Sequence, residues 1–123
     1  MNNKQEIQKE QLITACARLE DALAQEKNSY LMDSAIQRFE FTFELLWKTL
    51  KTYLADQGIK VYSPKETIKE VFRIGLVDED NDWFAMLESR NLTSHVYNEK
   101  MAENIYVKLP HYLEMIKNLA EKI

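Results

Sequence analysis

Glycine and proline occur only twice each in these 123 residues, histidine twice and cysteine once. So little glycine and proline leaves scant material for the tight turns of an all-β fold. The lone cysteine, Cys16, rules out a disulfide within the chain. It falls at an apolar helical spacing, where core packing is the expected role. No apolar run approaches the roughly 20 residues that span a bilayer. The N-terminal Met-Asn-Asn-Lys-Gln-Glu lacks the apolar segment of a signal peptide, so a cytoplasmic protein with no membrane contact is expected. Positive charge is not in surplus either. A formal net charge of −4 argues against a broad non-specific nucleic-acid surface, which needs Lys and Arg to neutralise phosphates. A small basic pocket stays compatible with it.

What the chain does have is Leu, Glu, Lys, Ala and Gln in abundance, all good helix formers. At this length the expectation is one domain over 1–123 with a single core. The fold class expected is all-α, an antiparallel four-helix bundle with an additional short helix. A first helix is expected over about 5–25, with Leu12, Cys16, Leu19 and Leu23 on one face. Asn28 or Ser29 can cap a second over about 30–57. There Met32, Ile36, Phe39, Phe43, Leu46, Leu50 and Tyr53 alternate spacings of four and three, the seam of a bundle. Phe41, Leu45, Trp47 and Leu54 lie off that seam. This helix is therefore either central or partly buried against a second subunit, and a homodimer is expected. Gly58 is its expected end.

Ser63-Pro64-Lys65-Glu66 reads as a helix start, with a serine cap, proline at the first position and glutamate closing a capping box. That short helix stops at Gly75. Asp78, Asp80 or Asn81 can cap the next, on which Trp83, Phe84, Leu87 and Asn91 share a face. A last helix is expected from about residue 99, its apolar positions Ile105, Leu109, Tyr112, Ile116, Leu119 and Ile123 kinked at Pro110.

One stretch carries chemistry: Arg90-Asn91-Leu92-Thr93-Ser94-His95-Val96-Tyr97. Arginine matches a phosphate geometrically. Histidine can take and give protons near neutrality. Together they are the minimum for cleaving a phosphodiester without a metal, and no cofactor is expected. On an unbroken helix, positions five apart differ by about 140°, so Arg90 and His95 would not converge. The run of Asn, Thr and Ser competes for backbone hydrogen bonds and can loosen the helix. In the bland alternative His95 caps a helix end, Arg90 pairs with a surface glutamate such as Glu88, and Tyr97 packs in the core. Glu44 and Lys48, one turn apart, form either a polar patch facing the motif or a plain surface ion pair. His111 has no acidic or cysteine partner at ligand spacing and reads as a surface or kink residue. Asp78-Glu79-Asp80-Asn81-Asp82 suits a helix start better than a calcium loop, which needs a glycine and a distal glutamate.

Arg90-Asn91-x-x-Ser94-His95-x-Tyr97, with Phe39-Glu40-Phe41-Thr42-Phe43-Glu44-Leu45-Leu46-Trp47-Lys48 upstream, closely resembles the HEPN superfamily. The nearest branch is that of the nucleotidyltransferase substrate-binding proteins related to HepT toxins, and the likeness covers nearly the whole chain. The resemblance implies a four-to-five-helix bundle that forms homodimers beside a minimal nucleotidyltransferase. In the HepT-like branch it implies a metal-independent ribonuclease at a dimer cleft, restrained when the partner attaches AMP to the motif tyrosine. Carried over, Arg90 would bind the scissile phosphate of RNA, His95 would move protons and Tyr97 would be modified. Asn91, Ser94, Glu44 and Lys48 would support them. In a dimer, Arg90 of one chain could work with His95 of the other. The alternative is an inert dimeric module that docks onto the nucleotidyltransferase. The filled triplet Arg90, His95 and Tyr97 favours the enzyme.

Overall fold

A computed structural model describes residues 3–123. The elements in order are α1 (Asn3–Leu23), α2 (Ser29–Ala55), α3 (Pro64–Arg73), α4 (Asn81–Leu92), a single 3-10 turn (Thr93–His95), α5 (Glu99–Tyr106) and α6 (Leu109–Ala120). The fold is an all-α antiparallel bundle, with no strand among the described residues. None of the described helices is long and apolar enough to cross a membrane.

Local chemistry sets most of the helix ends. Asn28 caps α2 by accepting from the Leu31 N–H at 2.9 Å. At the other end Gly58 takes φ +81°, and the Ile59 and Gly58 N–H groups bond the Leu54 and Ala55 carbonyls. That paired closure needs a residue in the left-handed region, and glycine reaches it without a Cβ penalty. Gly75 (φ +74°) ends α3 in the same way through Val71 and Phe72. Ser63 caps α3 as expected, but Glu66 reaches one residue further back, to the Tyr62 N–H. Of the three candidates for α4, Asp80 is the cap.

The C-terminal arm departs from expectation. Instead of one kinked helix it is two, α5 and α6, parted at Val107 and Lys108. Pro110 sits in the first turn of α6. Its ring nitrogen has no hydrogen to offer the Tyr106 carbonyl, and its ring would clash with that turn, so α5 must stop before α6 begins. Of the six apolar positions that define the period of this arm (Ile105, Leu109, Tyr112, Ile116, Leu119 and Ile123), all but Ile123 are buried.

Helix α2 runs through the middle and packs against every other helical element. This accounts within one chain for most of its off-seam apolar residues. Leu54 is fully buried, Leu45 and Trp47 pack partly against the core, and only Phe41 stays mainly exposed. The seam ends on Leu54 and not on Tyr53, because a straight helix drifts about 20° per heptad from a strict seven-residue repeat. Thr42 and Thr49 are buried on the same helix and donate back to the Arg38 and Leu45 carbonyls at 2.7 and 2.6 Å. Their hydroxyls are thus satisfied inside the core. Phe39 lies wholly inside, its ring stacked on Tyr112 at 5.7 Å.

Candidate active site

The rotation of α4 decides where Arg90 points. Trp83, Met86 and Ser89 turn inward, and the Ser89 hydroxyl lies 3.1 Å from the phenol of Tyr112 on α6. Of the face expected from sequence, Trp83 is buried, Phe84 and Leu87 pack against the core only in part and Asn91 is exposed, so the buried face is rotated towards Met86 and Ser89. With Ser89 locked inward, the next residue emerges beside α2. Arg90 Nη2 donates to Glu44 Oε2 at 2.5 Å and Nη1 to Asn91 Oδ1 at 3.2 Å. The guanidinium also rests 5.6 Å from the centre of the Phe43 ring, a favourable cation–π distance. Glu44 is a hub, because Lys48 stands 3.6 Å away on its other oxygen.

Arg90 therefore does not pair with Glu88, and Glu44 does face the motif while also forming the helix ion pair with Lys48. One residue was not anticipated. Glu40, one turn before Glu44, has its Oε2 3.0 Å from Thr93 Oγ1. The same hydroxyl lies 2.7 Å from the Arg90 carbonyl, so its one proton serves one acceptor at a time. The signal was available: Glu40 and Glu44 share a face of α2, the face that α4 meets.

The α-helix breaks off where the Asn, Thr and Ser run lies. Regular α-helix ends at Leu92, the 3-10 turn follows, and Val96 is extended at φ −91° and ψ 103°. Asn98 then caps α5 by accepting from the Met101 N–H at 2.9 Å. Successive side chains on extended backbone point to opposite sides. Val96 turns to the core, while His95 and Tyr97 stand together on the outer side. His95 Nδ1 lies 3.0 Å from the Tyr97 phenol oxygen. Tyr97 is 76% exposed, the opposite of a core tyrosine. Ser94 is exposed beside them.

Two clusters result: Arg90 with Glu44, Asn91 and, through Glu44, Lys48; and His95 with Tyr97. No hydrogen bond joins Arg90 to His95 within the described chain.

The remaining candidates have structural roles. His111 Nε2 lies 2.8 Å from Asp82 Oδ2 on the surface, an acidic partner brought by the fold and not by sequence spacing. Asp80 in the acidic run is a helix cap. Burial pushes the Cys16 thiol up to about 11, the Lys117 charge partly opposing and Glu20 adding to it. A thiol so raised stays protonated near neutrality and is a poor nucleophile. The groove of about 490 Å³ between α1 and α6 that it lines holds no motif residue.

Residues 7–123 match the family described as nucleotidyltransferase substrate binding protein like. Over 98 residues the chain is 33% identical to a Haemophilus influenzae protein named "Probable ribonuclease HepT", covering 76% of this chain and 67% of that one. A crystal structure from Thermus thermophilus superposes with a TM-score of 0.85 at 34% identity, over 90% of this chain and 97% of its own. A second solved structure, from Haemophilus influenzae, gives 0.82 at 29% identity over 93% and 97%. It is described as revealing the fold of a substrate binding domain of a nucleotidyltransferase.

Proposed function

The chain belongs to the nucleotidyltransferase substrate-binding-like family, and on that premise we propose that it is a HepT-like metal-independent endoribonuclease, the toxin of a toxin–antitoxin pair neutralised by a minimal nucleotidyltransferase. The observation that carries the reading is the display of the motif. Arg90 is held by Glu44 and the Phe43 ring, while His95 and Tyr97 stand exposed on the turn that follows it.

RNA brings its own nucleophile in the 2′-OH. His95 takes that proton as the 2′ oxygen bonds to phosphorus, and the bond from phosphorus to the 5′ oxygen breaks as that oxygen is protonated. Arg90 stabilises the charge gathering on the non-bridging oxygens. A guanidinium has five N–H donors. Glu44 and Asn91 engage two hydrogen-bonding contacts of it, leaving donors for a phosphate. Asn91 and Glu44 orient Arg90, Lys48 adds positive charge beside them, and Ser94 precedes His95 on the exposed turn.

A homodimer fits this chemistry, since Arg90 and His95 make no mutual contact in one chain and two copies of the motif in one cleft supply an acid, a base and two cations. Leu92, 45% exposed at the end of α4 beside the motif, suits such an interface. A monomer by light scattering at micromolar concentration argues against the composite cleft. The nucleotidyltransferase partner adds AMP at Tyr97, whose exposure leaves the phenol accessible. The added phosphate brings negative charge that captures Arg90 and repels RNA.

The non-catalytic reading, a dimeric subunit that docks onto the nucleotidyltransferase, draws support from the net charge of −4 and from the carboxylate already on Arg90. The deciding experiment incubates purified protein with RNA in EDTA, wild type against His95→Ala. Cleavage lost in the variant supports the ribonuclease. No cleavage by wild type moves the assignment to the binding subunit.

A further inference from the structure

Tyr97 is the only hydrogen-bond partner of His95 among the described residues: Nδ1 and the phenol oxygen lie 3.0 Å apart, with the rings inclined by 57°. Val96, packed toward the core between them, anchors the pair. A hydroxyl can either donate to that nitrogen or accept from it. Because Tyr97 is 76% exposed, its own hydrogen can go to water, which frees an oxygen lone pair for Nδ1–H.

We propose that Tyr97 is a positioning residue: its phenol oxygen accepts from His95 Nδ1–H and so keeps Nε2 as the nitrogen that exchanges protons with RNA. The proposal rests on the ribonuclease reading for its activity consequences, though not for its geometry. Acting as base, the imidazole needs a bare Nε2 and a protonated Nδ1. Acting as acid it is an imidazolium, with both nitrogens protonated. Nδ1 carries its hydrogen in both states, so one acceptor at Nδ1 serves the whole cycle and Nε2 does the proton traffic. An exposed imidazole without such an acceptor favours the opposite neutral tautomer, with the hydrogen on Nε2, and that form cannot accept the 2′-OH proton there.

The same oxygen is the proposed modification site, which gives silencing a second cause beside charge and bulk. The phenol oxygen attacks the α-phosphorus of a nucleoside triphosphate held by the nucleotidyltransferase. The new oxygen–phosphorus bond forms, the α–β phosphoanhydride bond breaks, pyrophosphate departs and the phenolic proton goes to solvent. What remains is a bridging ester oxygen whose electron density is drawn to phosphorus. It is a poor acceptor for Nδ1–H and has no hydrogen to donate, so His95 loses its orienting partner in the step that blocks the cleft.

The test is the tautomer itself. With two histidines in the chain, two-bond nitrogen–proton NMR of the ¹⁵N-labelled protein resolves both rings, and His111→Asn assigns them. At alkaline pH, where imidazole is neutral, His95 should carry its hydrogen on Nδ1 in the wild type and on Nε2 in Tyr97→Phe. In RNA cleavage, Tyr97→Phe should lose about tenfold in kcat with KM unchanged, with an unaltered melting profile as the fold control. His95 protonated on Nε2 in the wild type, or the same tautomer in both proteins, overturns the proposal. If the tautomer responds but the wild type does not cleave RNA, the positioning stands and the ribonuclease reading falls. If the wild type cleaves and Tyr97→Phe matches it in kcat and tautomer, the positioning falls and the ribonuclease reading stands.

Discussion

Replacing Glu44 with glutamine separates two effects that one carboxylate has on Arg90. The pair is short, 2.5 Å, and about a third exposed at each side chain, 28% for Arg90 and 35% for Glu44. It therefore lies between a surface pair, worth about 0.2–1 kcal/mol, and a buried one. Glutamine keeps an acceptor oxygen in place, so what is lost is the charge assistance, about 1 kcal/mol. For a domain of this size that lowers the melting temperature by about 4 °C. The second effect has the opposite sign for ligand. A phosphate seated on Arg90 would sit about 5 Å from the carboxylate, and at a water-like dielectric that repulsion is about 0.8 kcal/mol. Its removal should tighten RNA binding by about fourfold.

The assays are thermal unfolding of Glu44→Gln and anisotropy of a fluorescent single-stranded oligoribonucleotide, the latter in a His95→Ala background so that the probe survives. The gain in affinity should shrink as salt rises, because the repulsion is screened. Weaker RNA binding by Glu44→Gln would refute the reasoning, since it would mean that holding Arg90 outweighs repelling phosphate. An unchanged melting temperature would show that the contact contributes nothing to the fold.

Phe39→Ala should cost about 3–5 kcal/mol in urea denaturation, because the ring is fully buried on α2 and stacked on Tyr112; a loss below about 1 kcal/mol would contradict its place at the centre. Arg90→Lys should cut RNA cleavage severely, since a point charge cannot reproduce a guanidinium fork; retained activity would place the phosphate elsewhere. Cys16 predicts a pH effect of definite sign: its folded value of about 11 lies above the ordinary 9.0, so the unfolded chain loses that proton first. Its contribution to stability is whole below pH 9.0 and is lost as pH rises towards about 11. Cys16→Ser should lose that alkaline decline in denaturant midpoint, and persistence of an identical decline would assign it to other groups.

Helix ends were legible because their causes are local. Asn28, Ser63, Gly58 and Gly75 act within five residues of themselves, so a reader of the chain can place them. The seam of α2 was legible for a similar reason, as its period is strong and long. What was not legible was a choice of rotation. Helix α4 has only 12 residues, and Trp83, Phe84, Ala85, Met86 and Leu87 put apolar groups nearly all round it. Period alone cannot choose a buried face there. The choice rests on Ser89 meeting Tyr112, a bond spanning 23 residues. Arg90 then meets Glu44 across 46 residues of chain, so the partner was in view upstream but the pairing was not.

The same rotation gives the weak helix formers after Arg90 their consequence. Were α4 to continue unbroken, Tyr97 would fall about two turns beyond Arg90 on the same face. That face meets α2 at Phe43 and Glu44, and a tyrosine there would be drawn in against the core. Asn91, Thr93 and Ser94 compete for the backbone instead; the helix tightens into one 3-10 turn and Val96 goes extended. Tyr97 is thereby carried out into solvent and His95 is carried with it. The residues that look least suited to a helix are thus the physical reason why the phenol stands in solvent. Thr93→Leu, which favours helix at the turn and removes the hydroxyl near Glu40, should on this argument draw Tyr97 inward, measurable as reduced iodination of Tyr97 in the folded protein. Equal reactivity in both proteins would mean that the turn is set by α5 and its Asn98 cap, not by the residues that precede it.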